Sequence, residues 1–149
     1  MSTKDQSEQE VMAAVDSATR AFRDHVLAQE WHSSARITEL LDRGASANPN
    51  ELASRLRRER RLWGIWNGRE FQYPVWQLRS AGLDPRIARL LAALSAPDAD
   101  RDGWKRASWL YTGKTMLEDA TPVAAWLTDP DAVILAAETE FRKSGDDAV

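Results

Sequence analysis

The chain has 149 residues, 43% of them hydrophobic and 29% charged, with a formal net charge of −3. That balance belongs to a folded protein rather than a disordered one, and the length fits one domain or two small ones sharing contacts. The absence of cysteine excludes disulfides and thiolate metal sites and suits a reducing cytosol. No apolar run approaches the roughly 20 residues that span a bilayer, and the opening MSTKDQSEQE is unlike a signal peptide, so a cytoplasmic location is expected.

Charge is unevenly placed. Residues 35–90 carry 11 arginines, no lysine and six acids, a net of +5, whereas residues 91–149 carry six basic and 11 acidic side chains, a net of −5. Arginine suits planar, bidentate contacts to phosphate and guanine; a GC-rich genome would enrich arginine codons as well.

In chain order, residues 1–9 read as a loose tail and residues 10–31 as a helix, with Val11, Val15, Ala18, Phe22 and Val26 at helical spacing. Residues 34–43 read as a short helix with Ser34 as its N-cap, Ile37, Leu40 and Leu41 facing inward and Gly44 ending it. After a turn, Asn48 caps a third helix over residues 49–61, with Pro49 at its first position and Leu52 and Leu56 inward. This helix carries Arg55, Arg57, Arg58, Arg60 and Arg61. Asn67-Gly68 lies between strand-like runs at 62–66 and 70–73 and predicts a hairpin with a two-residue type I′ turn, left-handed at both positions. Residues 75–78 fold back on it.

Asp84-Pro85 opens a helix with Ile87, Leu90, Leu91 and Leu94 inward, and residues 95–102 form an acidic loop. Residues 103–111 make a short helix with Trp104, Ala107 and Tyr111 on one face. Thr121-Pro122 and Asp129-Pro130 each open a further helix. The last runs to about Lys143, with Val133, Ile134, Ala137 and Phe141 inward, Glu138 and Glu140 outward, and a frayed tail beyond.

The chemistry-bearing patterns are thin. Asp98, Asp100, Asp102 and Gly103 imitate the start of a calcium loop, but the twelfth position is Trp109, which cannot supply the bidentate carboxylate. His25 and His32 without cysteine make no metal site. There is no phosphate-binding glycine loop, no G-x-S-x-G and no nucleophile–base–acid set, so neither a cofactor nor an enzymatic activity is expected. Seven tryptophans read mainly as large core rings, with a partner surface as the alternative.

Two stretches carry a resemblance. Residues 57–78, RRERRLWGIWNGREFQYPVWQL, resemble the helix–wing junction of Xre/MbcA/ParS-type antitoxins. Such junctions read as an Arg-rich helix end, a Leu-led strand, a Gly turn and an aromatic-Tyr-Pro-x-x-Gln close, here Phe71, Tyr73-Pro74 and Gln77. Trp104, Trp109-Leu110, Leu117, Thr121-Pro122, Trp126-Leu127, Asp129 and Val133 resemble the toxin-binding domain of the same group. The match covers about residues 34–143. It departs from the group at Arg60, where a Gly usually precedes the first wing strand, at Ala45 to Asn48, which lengthen a turn, and at Ala120, where a Gly often precedes Thr-Pro.

The resemblance implies a cytoplasmic antitoxin of a RES–Xre toxin–antitoxin system. Such a protein binds and neutralises a RES-type toxin, an NAD-consuming enzyme of ADP-ribosyltransferase-like fold, and represses its own operon. The expected architecture is mainly α: a tail and helical arm over residues 1–33, a degenerate winged helix-turn-helix with one β-hairpin over 34–80, and a small helical toxin-binding domain over 81–149. Arg55, Arg57, Arg58, Arg61 and Arg69 are the candidate DNA-binding residues, and Trp109, Trp126, Glu138 and Glu140 the candidate partner-binding ones. Operator DNA, the toxin and a second copy of the chain are the expected partners, with no membrane. The alternative is a solitary protein-interaction adaptor whose DNA-binding face has decayed.

Overall fold

Helices dominate wherever apolar residues recur at helical spacing, and short antiparallel strands fill the turns between them. The computed structural model describes residues 3–42, 51–79, 82–94 and 101–147. The chain divides into two compact units, Met1–Glu30 and Trp31–Val149.

The first unit is a single helix, α1 (Thr3–Leu27). It starts well before residue 10, where the tail was expected to end. The polar segment preceding Val11 contains no Gly or Pro and several Gln, Glu and Lys residues, all good helix formers, so nothing stops the helix from propagating to its start.

The second unit begins with a strand the sequence did not announce, β1 (His32–Ser33), followed by α2 (Ser34–Asp42), α3 (Glu51–Arg58), β2 (Ile65–Trp66) and β3 (Phe71–Tyr73). A 3-10 turn (Val75–Gln77), a second hairpin of β4 (Leu78–Arg79) and β5 (Gly82–Leu83), and α4 (Arg86–Ala93) come next. The described chain ends with α5 (Trp104–Leu110), a 3-10 turn (Thr115–Leu117), α6 (Pro122–Trp126) and α7 (Pro130–Asp147). Among the described residues the fold is therefore mainly α with two small antiparallel sheets. None of the described helices is long and apolar enough to cross a membrane.

Strand β3 sits in the middle of the larger sheet, whose order is β1-β3-β2. Ile65 lies opposite Gln72 and Trp66 opposite Phe71, while His32 and Ser33 pair with Tyr73 and Gln72 from the other side. The loop between β2 and β3 thus spans residues 67–70, not the two-residue turn expected. Asn67 stays out of the left-handed region, and in this loop only Gly68 enters it, with φ 104°. The reason is chemical: the Asn67 side-chain oxygen accepts hydrogen bonds from the backbone N–H groups of Arg69 (2.9 Å) and Glu70 (3.0 Å). That side-chain turn replaces the backbone geometry a type I′ turn would need.

Caps follow local rules with one shift. Ser33, not Ser34, caps α2 by accepting from Arg36 N–H at 3.1 Å. Thr121 caps α6, accepting from Ala124 N–H, with Pro122 at the first turn. Asp129 does the same for α7 through Ala132 N–H at 3.1 Å. Helix α7 continues through Asp147, past the predicted end near Lys143. The expected roles of Gly44, Asn48 and Pro49, and Asp98 and Asp100 of the calcium-like motif, lie outside the described residues.

Helices α2 and α3 pack through Ile37, Ala53, Leu56, Leu62 and Tyr73, flanked by Leu41, Leu52, Phe71, Leu78 and Leu83. The buried Thr38 hydroxyl accepts Ala53 N–H at 3.3 Å and ties the pair. Leu40, expected inward, is exposed. A chain of rings joins the segments on either side of residue 80: Trp31, Trp63 and Tyr111 meet one another, and Trp63 leads through Trp76 to Trp126 with centroids 5.8–6.2 Å apart. Most of the tryptophans therefore build the core. Burial pushes the Tyr111 phenol up to about 12, against a smaller lowering by the hydrogen bond from Trp76, so it stays neutral at physiological pH.

Asp84 is the buried charge of the core, with its side chain 2% exposed. It accepts from Arg79 Nε at 3.1 Å, Arg86 Nε at 3.1 Å, Arg86 Nη2 at 3.0 Å and Arg86 N–H at 3.0 Å. Burial alone would raise its pKa. The hydrogen bonds and charges of Arg86 and Arg79 outweigh burial and hold it below the ordinary 3.8. A carboxyl whose folded pKa is depressed contributes stability that is complete above its unfolded pKa and lost as pH falls through the folded value. Asp84→Asn should therefore flatten the acid limb of stability below about pH 4 and cost about 2 kcal/mol near neutrality. Urea titrations between pH 3 and pH 7 on both proteins test this; parallel pH profiles would refute it.

Candidate functional site

The basic region is built from the end of α3. Arg60 N–H donates to Arg57 O at 3.1 Å and Arg61 N–H to Leu56 O at 2.9 Å, the paired bonds of a Schellman cap. That cap needs a left-handed residue between the helix and the next strand. Arg60 occupies the position with φ 60°, where glycine would fit without strain and arginine costs about 1 kcal/mol. The departure from the antitoxin pattern at Arg60 is thus a side chain placed in a glycine's conformation.

Arg57 is held on the hairpin. Its Nε donates to the Tyr73 hydroxyl at 3.1 Å, and its guanidinium lies 3.7 Å from the Phe71 ring centroid. The pair Phe71 and Tyr73 of the aromatic-Tyr-Pro motif therefore orients an arginine. The other candidate DNA-binding residues, Arg55, Arg58, Arg61 and Arg69, are exposed.

Beside Arg57 lies a cavity of about 210 Å³. Arg57, Arg58 and Arg60 from the end of α3 line it together with Arg101 and Arg106, Trp63, Phe71 and Leu91. Among the described residues, no acidic side chain lines it. Arg106 is anchored to the Leu91 carbonyl at 3.4 Å. Arg101 and Arg106 were not singled out from the sequence, because they sit in the segment of net charge −5. No local pattern marks them; folding alone brings them to the end of α3.

The wall of this pocket is a tight crossing of two backbones. Trp63 Nε1 donates to Gly103 O at 3.3 Å, Trp66 N–H to Asp102 O at 2.9 Å, and Trp104 Nε1 to Trp66 O at 2.9 Å. Gly103 has φ 82°, and a Cβ there would lie 2.1 Å from the Gly64 carbonyl oxygen. The Gln77 amide locks the crossing from beneath, accepting Trp63 N–H and donating to Trp63 O, each at 2.7 Å. Gln77 of the Tyr-Pro-x-x-Gln motif is thus a two-point clamp on the segment that leads into β2.

Of the candidate partner-binding residues, Glu140 is exposed as expected, whereas Trp109, Trp126 and Glu138 sit further inside. Trp126 is 1% exposed, within the ring chain, and Trp109 is 7% exposed. Its indole N–H donates to the Glu140 carboxylate. Glu138 pairs with Arg89 at 3.0 Å, so both acids brace α7 against the rest of the fold. Trp109 and Glu140 nevertheless border a surface cleft of about 350 Å³ with Lys114, Met116, Ala136 and Thr139. Among the described residues of this third, Met116, Leu127 and Leu135 are the exposed large apolar side chains. Among the described residues, no group of three or more His, Asp or Glu converges as a metal site. No protein-family model, curated protein or solved structure matches the chain.

Proposed function

We propose that the protein is antitoxin-like: its α3 and hairpin contact DNA, and its last third captures a protein partner, with a RES-type toxin as the partner the sequence resemblance implies. One observation carries the DNA reading. Arg55, Arg58, Arg61 and Arg69 are exposed along α3, its end and the β2–β3 loop, and the elements beneath them are two packed helices and a sheet ordered β1-β3-β2. A degenerate winged helix-turn-helix is built in that order, with the second helix facing a groove and the hairpin the flanking backbone. The cleft bordered by Trp109, Met116 and Glu140 supports the partner reading, since an aromatic wall beside an exposed Met suits an anchor side chain.

Duplex from the region upstream of the coding sequence should bind with a log–log salt slope of about −0.9 per phosphate neutralised. Arg55→Ala with Arg69→Ala should flatten that slope by up to about 2 per protomer without a change in melting temperature. Fluorescence anisotropy at several salt concentrations measures both quantities. Absence of binding at low salt would remove the repressor role and leave the adaptor, whose partner Met116→Glu should then still release.

A further inference from the structure

We propose that the five-arginine pocket is a binding site for a phosphate monoester or diphosphate group carried by a small molecule. The proposal does not rest on DNA binding: of the four exposed arginines assigned to DNA, Arg55, Arg61 and Arg69 lie outside this pocket and only Arg58 is shared with it.

Charge is the first argument. Five arginines line about 210 Å³, and among the described residues no carboxylate does. Like charges gathered at one cavity repel, and an anion between them offsets that repulsion. Guanidinium forks match phosphate oxygens two at a time.

Pre-organisation is the second. Arg57 is fixed by Tyr73 and by the face of Phe71, and Arg106 by the Leu91 carbonyl. Two of the lining guanidiniums are therefore already positioned, and little side-chain freedom is lost there when an anion enters. Arg58 and Arg101 are exposed and can close on the ligand.

Size selects the ligand. Pockets that enclose a drug-sized molecule run to roughly 300–1,000 Å³, so this one admits a phosphoryl or diphosphoryl head and leaves the rest of the molecule outside. A duplex phosphate is a diester flanked by sugars on both sides and fits a recessed pocket less well than a terminal phosphate.

Arg60 is the third argument. The left-handed backbone at Arg60 belongs to the helix cap, so the informative choice is the side chain placed there. Glycine would close the same helix cap without strain, and arginine adds a charge at the cavity instead.

Isothermal titration of the full chain with inorganic pyrophosphate at 0.15 M NaCl tests this. One saturable site per chain is expected, tighter than about 1 mM. Arg101→Gln should weaken it about tenfold, the loss of one charge-assisted hydrogen bond, while Arg55→Ala leaves it unchanged. Arg60→Gly is the decisive variant: its melting temperature should rise by about 3 °C as the strain is relieved, yet its pyrophosphate affinity should fall about tenfold. A more stable Arg60→Gly protein that binds undiminished would overturn the proposal. So would the absence of saturable binding, an equal loss with Arg55→Ala, or occupancy by duplex DNA but not by pyrophosphate. Loss of DNA binding in the Arg55→Ala, Arg69→Ala protein with pyrophosphate binding intact supports the pocket as a separate site.

Discussion

Gln77→Leu is expected to destabilise the protein by about 4 kcal/mol, because it orphans two buried backbone groups at once. Gln77 is 0% exposed, and its amide satisfies both the N–H and the C=O of Trp63 at 2.7 Å. Leucine fills a similar volume but offers no polar atom, and Trp63 is itself buried, 3% exposed. Proteins of this size hold about 5–15 kcal/mol in total, so the loss would consume much of the margin. Gln77→Glu separates the two bonds. Its carboxylate can accept from Trp63 N–H but sets an anionic oxygen against Trp63 O, so it should be at least as damaging at pH 7 and partly relieved at low pH, where the protonated acid donates. Urea unfolding at both pH values gives the comparison. A Gln77→Leu protein within about 1 kcal/mol of the parent would mean the clamp is not what holds the crossing.

Gly103→Ala should be the other severe change, at about 4 kcal/mol, or roughly 10 °C in melting temperature. Two effects add. The residue has φ 82°, which an L side chain adopts at a cost of about 1–2 kcal/mol. The new Cβ would also lie 2.1 Å from the Gly64 carbonyl oxygen, a backbone atom that can move only if the α5 entry and β2 separate. That separation would strain the bonds from Trp66 to Asp102 and from Trp63 to Gly103 and open the arginine pocket. Gly68→Ala is the internal control. Gly68 also has a positive φ, 104°, but nothing lies within 4 Å of its added Cβ, so strain alone should cost it about 1 kcal/mol. Equal melting temperatures for the two variants would show that the close approach is not real.

The clamp and the crossing also bear on how the chain is divided. Trp63, Trp66 and Gln77 lie before residue 80, Asp102, Gly103 and Trp104 after it, yet they form one hydrogen-bonded wall. Arg79 extends it, donating to Trp126 O at 3.3 Å. A DNA-contacting half and a partner-contacting half in this protein would share a core, so occupancy of one could be felt at the other through rigid packing.

Several elements were legible in the sequence because their signals are local. Ile87, Leu90, Leu91 and Leu94 face inward as their spacing requires, and Thr121-Pro122 and Asp129-Pro130 start helices as caps do. The Phe71, Tyr73-Pro74, Gln77 motif marked a structurally demanding place, although its bonds to Arg57 and Trp63 could not be read from it. Other features depend on partners distant in the chain. Strand β1 is two residues long, too short to show alternation, and exists because β3 offers it an edge. The inward placement of Trp126 and the bracing of Glu138 by Arg89 depend on which surfaces the last helices meet. The arginine pocket is the sharpest case. Residues 57–60 announced themselves as a basic helix end, but Arg101 and Arg106 lie in an acidic segment and join them only where the Gly64 and Gly103 backbones cross. Local periodicity and capping act over a few residues and are written in the sequence there; a cluster of like charges forms against its own repulsion, and only long-range packing can hold it together.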